Sequence, residues 1–495
     1  MADILAQTFQ VEVLASTMLG IFAGMLVGAI PGLTATMAVA LLIPVTFGMS
    51  GAAALILLGT IYTAATYGGS FSAILFHTPG TPSSAATCLD GYEMTRKGEA
   101  GKALTISTIS SALGGLVGVC ALLLIAPPLS LISLKFGPLE YFLLAVFGLS
   151  IIGGLASNNL VKGLIAGLLG LALSTIGLDP MAAFPRFTFG LINLESGIPL
   201  VPALIGMFSV SQAMILAETG NVVQVNPTAK AIKITLPTWQ EMKCIAPIIG
   251  YCSLIGTFIG ILPGAGGDVA TWVSYNEARR ISKHPEKFGT GIVEGIAASE
   301  SANNAVCASA MIPLLTLGIP GSNVTAVMLG GLLIHGLVPG RDLFSVQATT
   351  TYAIIVGLFL ANILMGVIGL LIAPYVQRLA RIPYQILAST IILFGVVGSF
   401  AINNNFADVY LMMIFGLFGY LMRRYDFPVA ATILGLILGP MAENGLRQAM
   451  VISSGNLLVM LLRRPISLVI VLVTLLSILW PVLSKRMAGS KPAHA

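Results

Sequence analysis

Charge is what this sequence has least of. Asp, Glu, Lys and Arg make up only 9% of its 495 residues, against about 25% in an ordinary soluble domain. Polar stretches between its apolar segments are all short, which leaves no room for a soluble catalytic domain. Disordered, collagenous and nucleic-acid-binding classes are excluded with it. Cysteine is sparse too. The five present, Cys88, Cys120, Cys244, Cys252 and Cys307, form no CxxC or other ligand spacing, so packing accounts for them better than a metal or a disulfide. HExxH, GxSxG and GxxxxGK[ST] are missing, which removes support for a metalloprotease, a serine hydrolase and an in-chain P-loop ATPase. The start, MADILAQTFQVEV, has no basic n-region and no small-residue cleavage site, so no removable signal peptide is expected.

What is there is apolar residue and glycine. Hydrophobic residues make up 56% of the chain, 55 glycines add about 11%, and mean hydropathy is +0.96. Glycine this abundant suits closely packed transmembrane helices. The sum of 24 Lys+Arg and 19 Asp+Glu is +5, but in such a chain the distribution of charge reports topology rather than an anionic partner. The fold class expected is an all-α polytopic membrane protein in the lipid bilayer, with about 12–14 hydrophobic segments.

A helix needs roughly 20 apolar residues to cross the bilayer. Spans are expected near 12–30, 51–76, 104–126, 137–155, 160–177, 199–217, 244–262, 291–317, 347–374, 384–402, 406–422, 428–441 and 465–483. Stretches at 33–48, 324–338 and 448–462 are short or interrupted, and the first two adjoin Pro or Gly, so those two read as re-entrant or broken elements.

The second half of the chain echoes the first, at an offset that drifts from 229 (Pro199 to Pro428) to 247 (Phe147 to Phe394). Gly24, Gly28, Pro31 and Gly32 answer to Gly256, Gly260, Pro263 and Gly264; Pro79-Gly80 answers to Pro320-Gly321. Phe147-Gly148 with Asn158-Asn159 answers to Phe394-Gly395 with Asn403-Asn404, and PLVPALIGMF at 199–208 to PVAATILGLI at 428–437. Basic loops sit at non-equivalent places. The loop near 48–51 is uncharged while its counterpart at 276–290 carries Arg279, Arg280, Lys283 and Lys287; the loop with Arg96, Lys97 and Lys102 has a counterpart with only Arg341. Short Lys/Arg-rich loops stay cytoplasmic, so equivalent loops lie on opposite sides and the repeats are inverted. Five crossings in the first half, an odd number, agree. The division expected is a first membrane repeat at 1–220, a cytoplasmic link at 221–243 with Lys230, Lys233 and Lys243, a second repeat at 244–462, and a C-terminal helix with a basic tail at 463–495. Arg378, Arg381, Arg423 and Arg424 then fall inside as topological charges, and none is placed in the core.

Inverted repeats with Pro/Gly-interrupted segments at corresponding positions point to a secondary transporter whose site lies near the bilayer midplane. Four such breaks exist, PGLTAT (31–36), TPGTPSS (78–84), PGAGGD (263–268) and IPGSNVT (319–325). In each, Pro ends a helical stretch, Gly permits an unusual turn, and Ser, Thr or Asp can cap the helix that follows. An exposed helix N-terminus suits a carboxylate. The candidate substrate residues are Pro31, Gly32, Thr34 and Thr36; Thr78, Pro79, Gly80, Thr81, Ser83 and Ser84; Pro263, Gly264, Gly266 and Gly267; and Pro320, Gly321, Ser322 and Asn323. Kinks, capping and packing are the competing roles for each. Ionisable residues in apolar stretches are costly and functional by default. Asp268 closes PGAGGD, and Glu300 lies three and four residues before Asn303 and Asn304, on one helical face. This set supplies hard oxygen ligands for a coupling Na+ or a protonatable site for H+; a Glu satisfied by helix donors and an Asp acting as an N-cap are the alternatives. No other metal and no cofactor is expected. His77, before the second break, either lines the site or bonds a neighbouring helix, and His335 matches it only loosely. Trp239, Trp272 and Trp480 read as interface markers.

Four stretches, GAIPGLTATMAVALLIPVTF (28–47), YGGSFSAILFHTPGTPSSAATCLDGYEMTRKGEAGKAL (67–104), GILPGAGGDVATWVSYNEARR (260–280) and ASESANNAVCASAMIPLLTLGIPGS (298–322), resemble the large membrane subunit of the tripartite tricarboxylate transporters, the TctA type. The likeness covers nearly the whole chain. It implies a bacterial inner-membrane permease working with a small four-helix membrane subunit and a periplasmic solute-binding protein. It also implies uptake of citrate or related carboxylates driven by Na+ or H+ rather than ATP. Which carboxylate is carried does not follow. An uncoupled anion channel, or a scaffold that receives solute from its partners, is the rival of another class, and a membrane-embedded enzyme is a third reading that the missing motifs disfavour.

Overall fold

The computed structural model describes residues 2–132, 135–155, 160–179, 184–219, 233–264, 266–376 and 384–488. Asn158, Asn159, Lys230, Arg378, Arg381 and the first part of the link at 221–243 lie outside these. The first half runs through α1 (Ala2–Thr8), α2 (Val11–Ala29), α3 (Ala35–Leu42), α4 (Gly51–Phe76), α5 (Ala85–Arg96), α6 (Ala100–Ile132), α7 (Pro138–Leu155), α8 (Leu160–Ser174), α9 (Leu200–Leu204) and α10 (Ser211–Thr219). A π-helical turn, Ile205–Val210, joins the last two into one span. The second half holds α11 (Trp239–Ile261), α12 (Gly266–Ile281), α13 (Val293–Ser309), α14 (Met311–Leu317), α15 (Asn323–Ile334), α16 (Arg341–Phe344), α17 (Ala348–Ile372), α18 (Tyr384–Asn403), α19 (Phe406–Arg424), α20 (Val429–Ile452), α21 (Leu457–Arg463) and α22 (Pro465–Ala488). Extended pairing among the described residues is confined to Gly177–Leu178 against Pro185–Arg186.

Among the described residues nine helices are long and apolar enough to cross a membrane, or ten when α21 and α22, bent by 99° at their junction, count as one. The protein is an all-α polytopic membrane protein. α4 is buried along nearly its whole length, whereas α17, α18 and α19 turn Leu371, Leu393 and Ile414 outward, as helices in contact with lipid do. α11 starts at Trp239, inside the stretch expected to be a link, because Thr238 and Glu241 form a capping box that opens the helix there.

Lipid is as apolar as leucine, so helices in a membrane associate by close packing of small residues rather than by hydrophobic burial. Here the packing is done twice in the same way. On α2, a Cβ at Gly28 would stand 2.1 Å from the Ala65 carbonyl oxygen of α4; on α11, a Cβ at Gly256 would stand 2.3 Å from the Ala302 carbonyl oxygen of α13. The breaks close on glycines of the same two helices. A Cβ at Gly80 would meet the Gly28 carbonyl oxygen at 2.1 Å, and one at Gly321 would meet the Gly260 carbonyl oxygen at 2.7 Å.

The helices gather into two bodies. α2, α4, α5, α6, α11, α12, α13 and α17 pack on one another, and α7, α8, α9, α10, α18, α19, α20 and α22 form the other. Two short helices lie between. α3 meets the π turn and α18, and α15 meets α9 and α20. The two basic loops share one face. Lys97 donates to the Thr290 carbonyl, and the fully buried Asp90 carboxylate accepts from the N–H groups of Gly289, Gly291 and Ile292 at 2.8–3.0 Å. Away from them, the uncharged loop at 48–51 meets 335–337, through His335 on Thr46 (2.8 Å) and Leu337 against Gly51.

Candidate functional site

Each sequence break lies between two helical segments, and three of the four cap the segment that follows. Gly32 (φ +90°) and Gly264 (φ +81°) take the left-handed backbone that the first break of each half demands. Thr34 then caps α3 by accepting the Met37 N–H at 3.2 Å. At the second breaks His77 (φ 54°) and Gly318 (φ 71°) end α4 and α14 in the left-handed region. Thr81 with Ser84, and Ser322 with Thr325, close reciprocal capping boxes on the helices that follow.

The four breaks converge on a single cavity of about 360 Å3. Thr34 and Thr36 come from the first, Thr81 and Ser83 from the second, Gly264, Gly266, Gly267 and Asp268 from the third, Ser322 and Asn323 from the fourth. The approach is tight. A Cβ at Gly267 would lie 2.8 Å from Asn303 Oδ1 and 3.1 Å from Ser83 Cβ, so the start of α12 passes between α13 and the second break only because it is glycine. The Tyr62 and Ser322 hydroxyls lie 3.1 Å apart and those of Thr81 and Ser83 3.2 Å apart. Asn303 is 1% exposed and neither of its amide atoms has a protein partner. Such a wall offers N–H groups at helix starts, hydroxyls and a free amide, a set that holds an anion or a polar solute.

Other nominated residues build the cavity without lining it. Pro31, Gly32, Pro263, Pro320 and Gly321 shape the turns, Thr78, Pro79 and Gly80 pack the second break against α2 and α4, and Ser84 is engaged in its cap. His77 is exposed and stacked on Tyr92, ring centroids 4.6 Å apart, and His335 is held by Thr46. Trp239 and Trp272 are exposed.

Glu300 lies off the cavity in a second polar pocket of its own. It is 0% exposed, accepts hydrogen bonds from Thr87 of α5 and from Ser111 of α6 (2.9 Å), and makes no ion pair among the described residues. Thr87 also meets Ser299 at 2.8 Å. Asn304, one helical turn on, is fully buried with both amide atoms unpartnered. The chain thus brings Asp268 and Asn303 to the cavity and keeps Glu300 and Asn304 behind it.

Sequence reasoning missed Tyr62, Thr66, Phe208 and Arg423 on the cavity wall, and Thr87 and Ser111 at Glu300. Arg423 corrects the expectation that no arginine enters the core. It reads as one of a basic pair closing α19, and only the tertiary fold turns it inward while Arg424 stays out. Phe208 sits in the π turn, a distortion that recurs at functional sites.

Comparison with known proteins agrees with this architecture. The family model described as the tripartite tricarboxylate transporter TctA family matches residues 14–434. An uncharacterized 52.8 kDa protein from the TAR-I ttuC' 3' region of Agrobacterium vitis is 38% identical over 443 residues, covering 89% of this chain and 87% of that protein. An uncharacterized protein from the TAR-II ttuC' 3' region of the same organism is 39% identical over 201 residues, 41% of this chain and 83% of that protein. No solved structure matches.

Proposed function

The chain belongs to the tripartite tricarboxylate transporter TctA family, and on that premise we propose that it is the large permease subunit of a secondary transporter that takes up citrate-like tri- and dicarboxylates across the bacterial inner membrane. The observation that carries the reading is the convergence of four helix breaks, three of them closed by side-chain caps, on one polar cavity inside a largely apolar bundle. Helix starts, with the partial positive charge they carry, receive the carboxylates. A cavity of about 360 Å3 is in the size range of sites that enclose small ligands.

Coupling falls to Glu300 with Asn304, and to Asp268 with Asn303 nearer the substrate. A buried carboxylate with no cationic partner persists either protonated or beside a bound cation, which is the behaviour a Na+ or H+ site requires. The halves act as inverted repeats; the two basic loops lie together on one face while occupying non-equivalent places in the repeats, and this supports that reading. The body bearing the breaks moves past the body of α9, α10, α18 and α19 in an elevator-like stroke. A small four-helix membrane subunit and a periplasmic solute-binding protein complete the system.

The test is uptake of labelled citrate, succinate and an aromatic dicarboxylate into proteoliposomes holding this chain and the small subunit, with the binding protein outside. Accumulation above equilibrium under an inward Na+ or proton gradient is expected. Equilibration without accumulation under either gradient makes the chain an uncoupled channel, and a chemically altered solute makes it an enzyme.

A further inference from the structure

We propose that Arg423 is the fixed carboxylate anchor of the cavity, and that it comes from the opposite body to the four breaks. The inference rests on the transport reading above. Six of the described arginines have their charge met by an acid, and Arg279, Arg341 and Arg463, which have no such pair, are exposed. Arg424 reaches Glu218 (3.5 Å), Arg186 reaches Glu443 and Asp179, Arg447 reaches the same two acids, and Arg464 reaches Glu140 (2.8 Å). Arg423 is different. It forms no ion pair among the described residues, its Nη1 donates to the neutral Gln212 Oε1 at 2.8 Å, and its Nε is shut away with no partner at all. Leaving a guanidinium without a counter-ion in such a place is costly unless something else supplies the charge.

The side chain borders the cavity and so faces what the cavity holds. Asp268 lines the same cavity from the facing body, and no ion pair joins it to Arg423 among the described residues. A guanidinium keeps several donors in a planar fork and pairs with a carboxylate through two of them, a geometry neither lysine nor a helix start reproduces. One carboxylate of the solute then lies on Arg423 of α19, and another lies on the starts of α12 and α15 at Gly266 and Ser322. Solutes with two or more carboxylates are selected over those with one. Because α19 packs with the π turn and α9 while α12 and α13 pack in the other body, the anchored solute bridges the two bodies and is released from Arg423 when they part.

The experiment is direct binding of labelled citrate to the purified full-length chain in detergent. R423Q is expected to bind about 10- to 100-fold more weakly, the range for losing a charged hydrogen-bonded contact, with R423K between it and the unaltered protein. R424Q, at the exposed neighbour, keeps full affinity. Should R423Q fail to stay monodisperse, Q212E gives the same reading, since it parks a carboxylate on Arg423 and displaces the solute. Affinity within about twofold of the unaltered chain in R423Q, or in Q212E, overturns the anchor. No citrate, succinate or aromatic dicarboxylate binding by the unaltered chain instead overturns the carboxylate reading of the cavity, and the anchor with it.

Discussion

At the residue scale, Glu300 is the group whose chemistry is least explained by structure alone. Its two oxygens are met by hydroxyls of α5 and α6, so the carboxylate ties elements of the first half to α13 of the second without any charge to balance it. Removing it wholesale strands the Ser111 hydroxyl in a buried place, at about 1–3 kcal/mol for an unmet group, while Thr87 keeps Ser299. Glu300→Ala is therefore expected to lower thermal stability and uptake together. Glu300→Gln keeps the shape, and its amide accepts from one hydroxyl and donates to the other once that hydroxyl turns, but it can neither release a proton nor offer a cation a full charge. It is expected to leave the melting temperature within a few degrees and to abolish gradient-driven accumulation while exchange of labelled for unlabelled citrate persists. Accumulation by Glu300→Gln at the normal level would remove this residue from coupling. The sequence exposes Glu300 as an ionisable residue in an apolar run, with its asparagines at helical spacing. It cannot expose Thr87 or Ser111, since hydroxyls on other helices become partners only through tertiary packing.

At the element scale, the glycine stripe of α11 separates contact from composition. Gly256 and Gly250 lie on one helix, yet a Cβ at Gly256 would meet the Ala302 backbone at 2.3 Å while one at Gly250 would meet nothing within 4 Å. Backbone cannot yield as a side chain tip does, so Gly256→Ala has to push α11 off α13. Overpacking of this kind costs about 1–3 kcal/mol, and it displaces the break that carries Gly264 and Asp268. Gly250→Ala, in the same helix, is expected to be neutral or to gain about 0.5–1 kcal/mol from reduced backbone entropy. Thermal unfolding of the two variants in the same detergent decides it; equal melting temperatures would mean that the small-residue interface contributes nothing. The stripe, the four breaks and their caps were legible because Pro, Gly, Thr and Ser act on backbone they adjoin. The π turn at Ile205–Val210 and the inward turn of Arg423 were not, because both follow from how α9, α10 and α19 pack, and the paired arginines at the end of α19 look on paper like any basic helix terminus.

At the scale of the whole molecule, the cavity is a seam. One wall belongs to the body of α2, α4, α11, α12 and α13, the other to the π turn and α19, and α3 and α15 lie between them and touch both. Apolar packing is continuous across that seam, but among the described residues its hydrogen bonds are few, such as the Ser209 hydroxyl on the Met37 carbonyl at 3.4 Å. By contrast, within the first body Asp90 takes three backbone N–H groups and the Tyr275 hydroxyl at 2.8 Å, joining α5 to α12 and the loop before α13. On the carrier reading, the bodies are expected to part where hydrogen bonds are sparse, with the body holding the breaks moving as a unit past the other. A mercuric bridge between cysteines placed at Met37 and Ser209, in a background with the exposed Cys120 and Cys244 changed to serine, should then halt citrate uptake while leaving citrate binding intact, and excess thiol should restore transport. Full uptake by the bridged protein would mean that solute crosses without these two walls separating, which is the behaviour of a channel rather than a carrier.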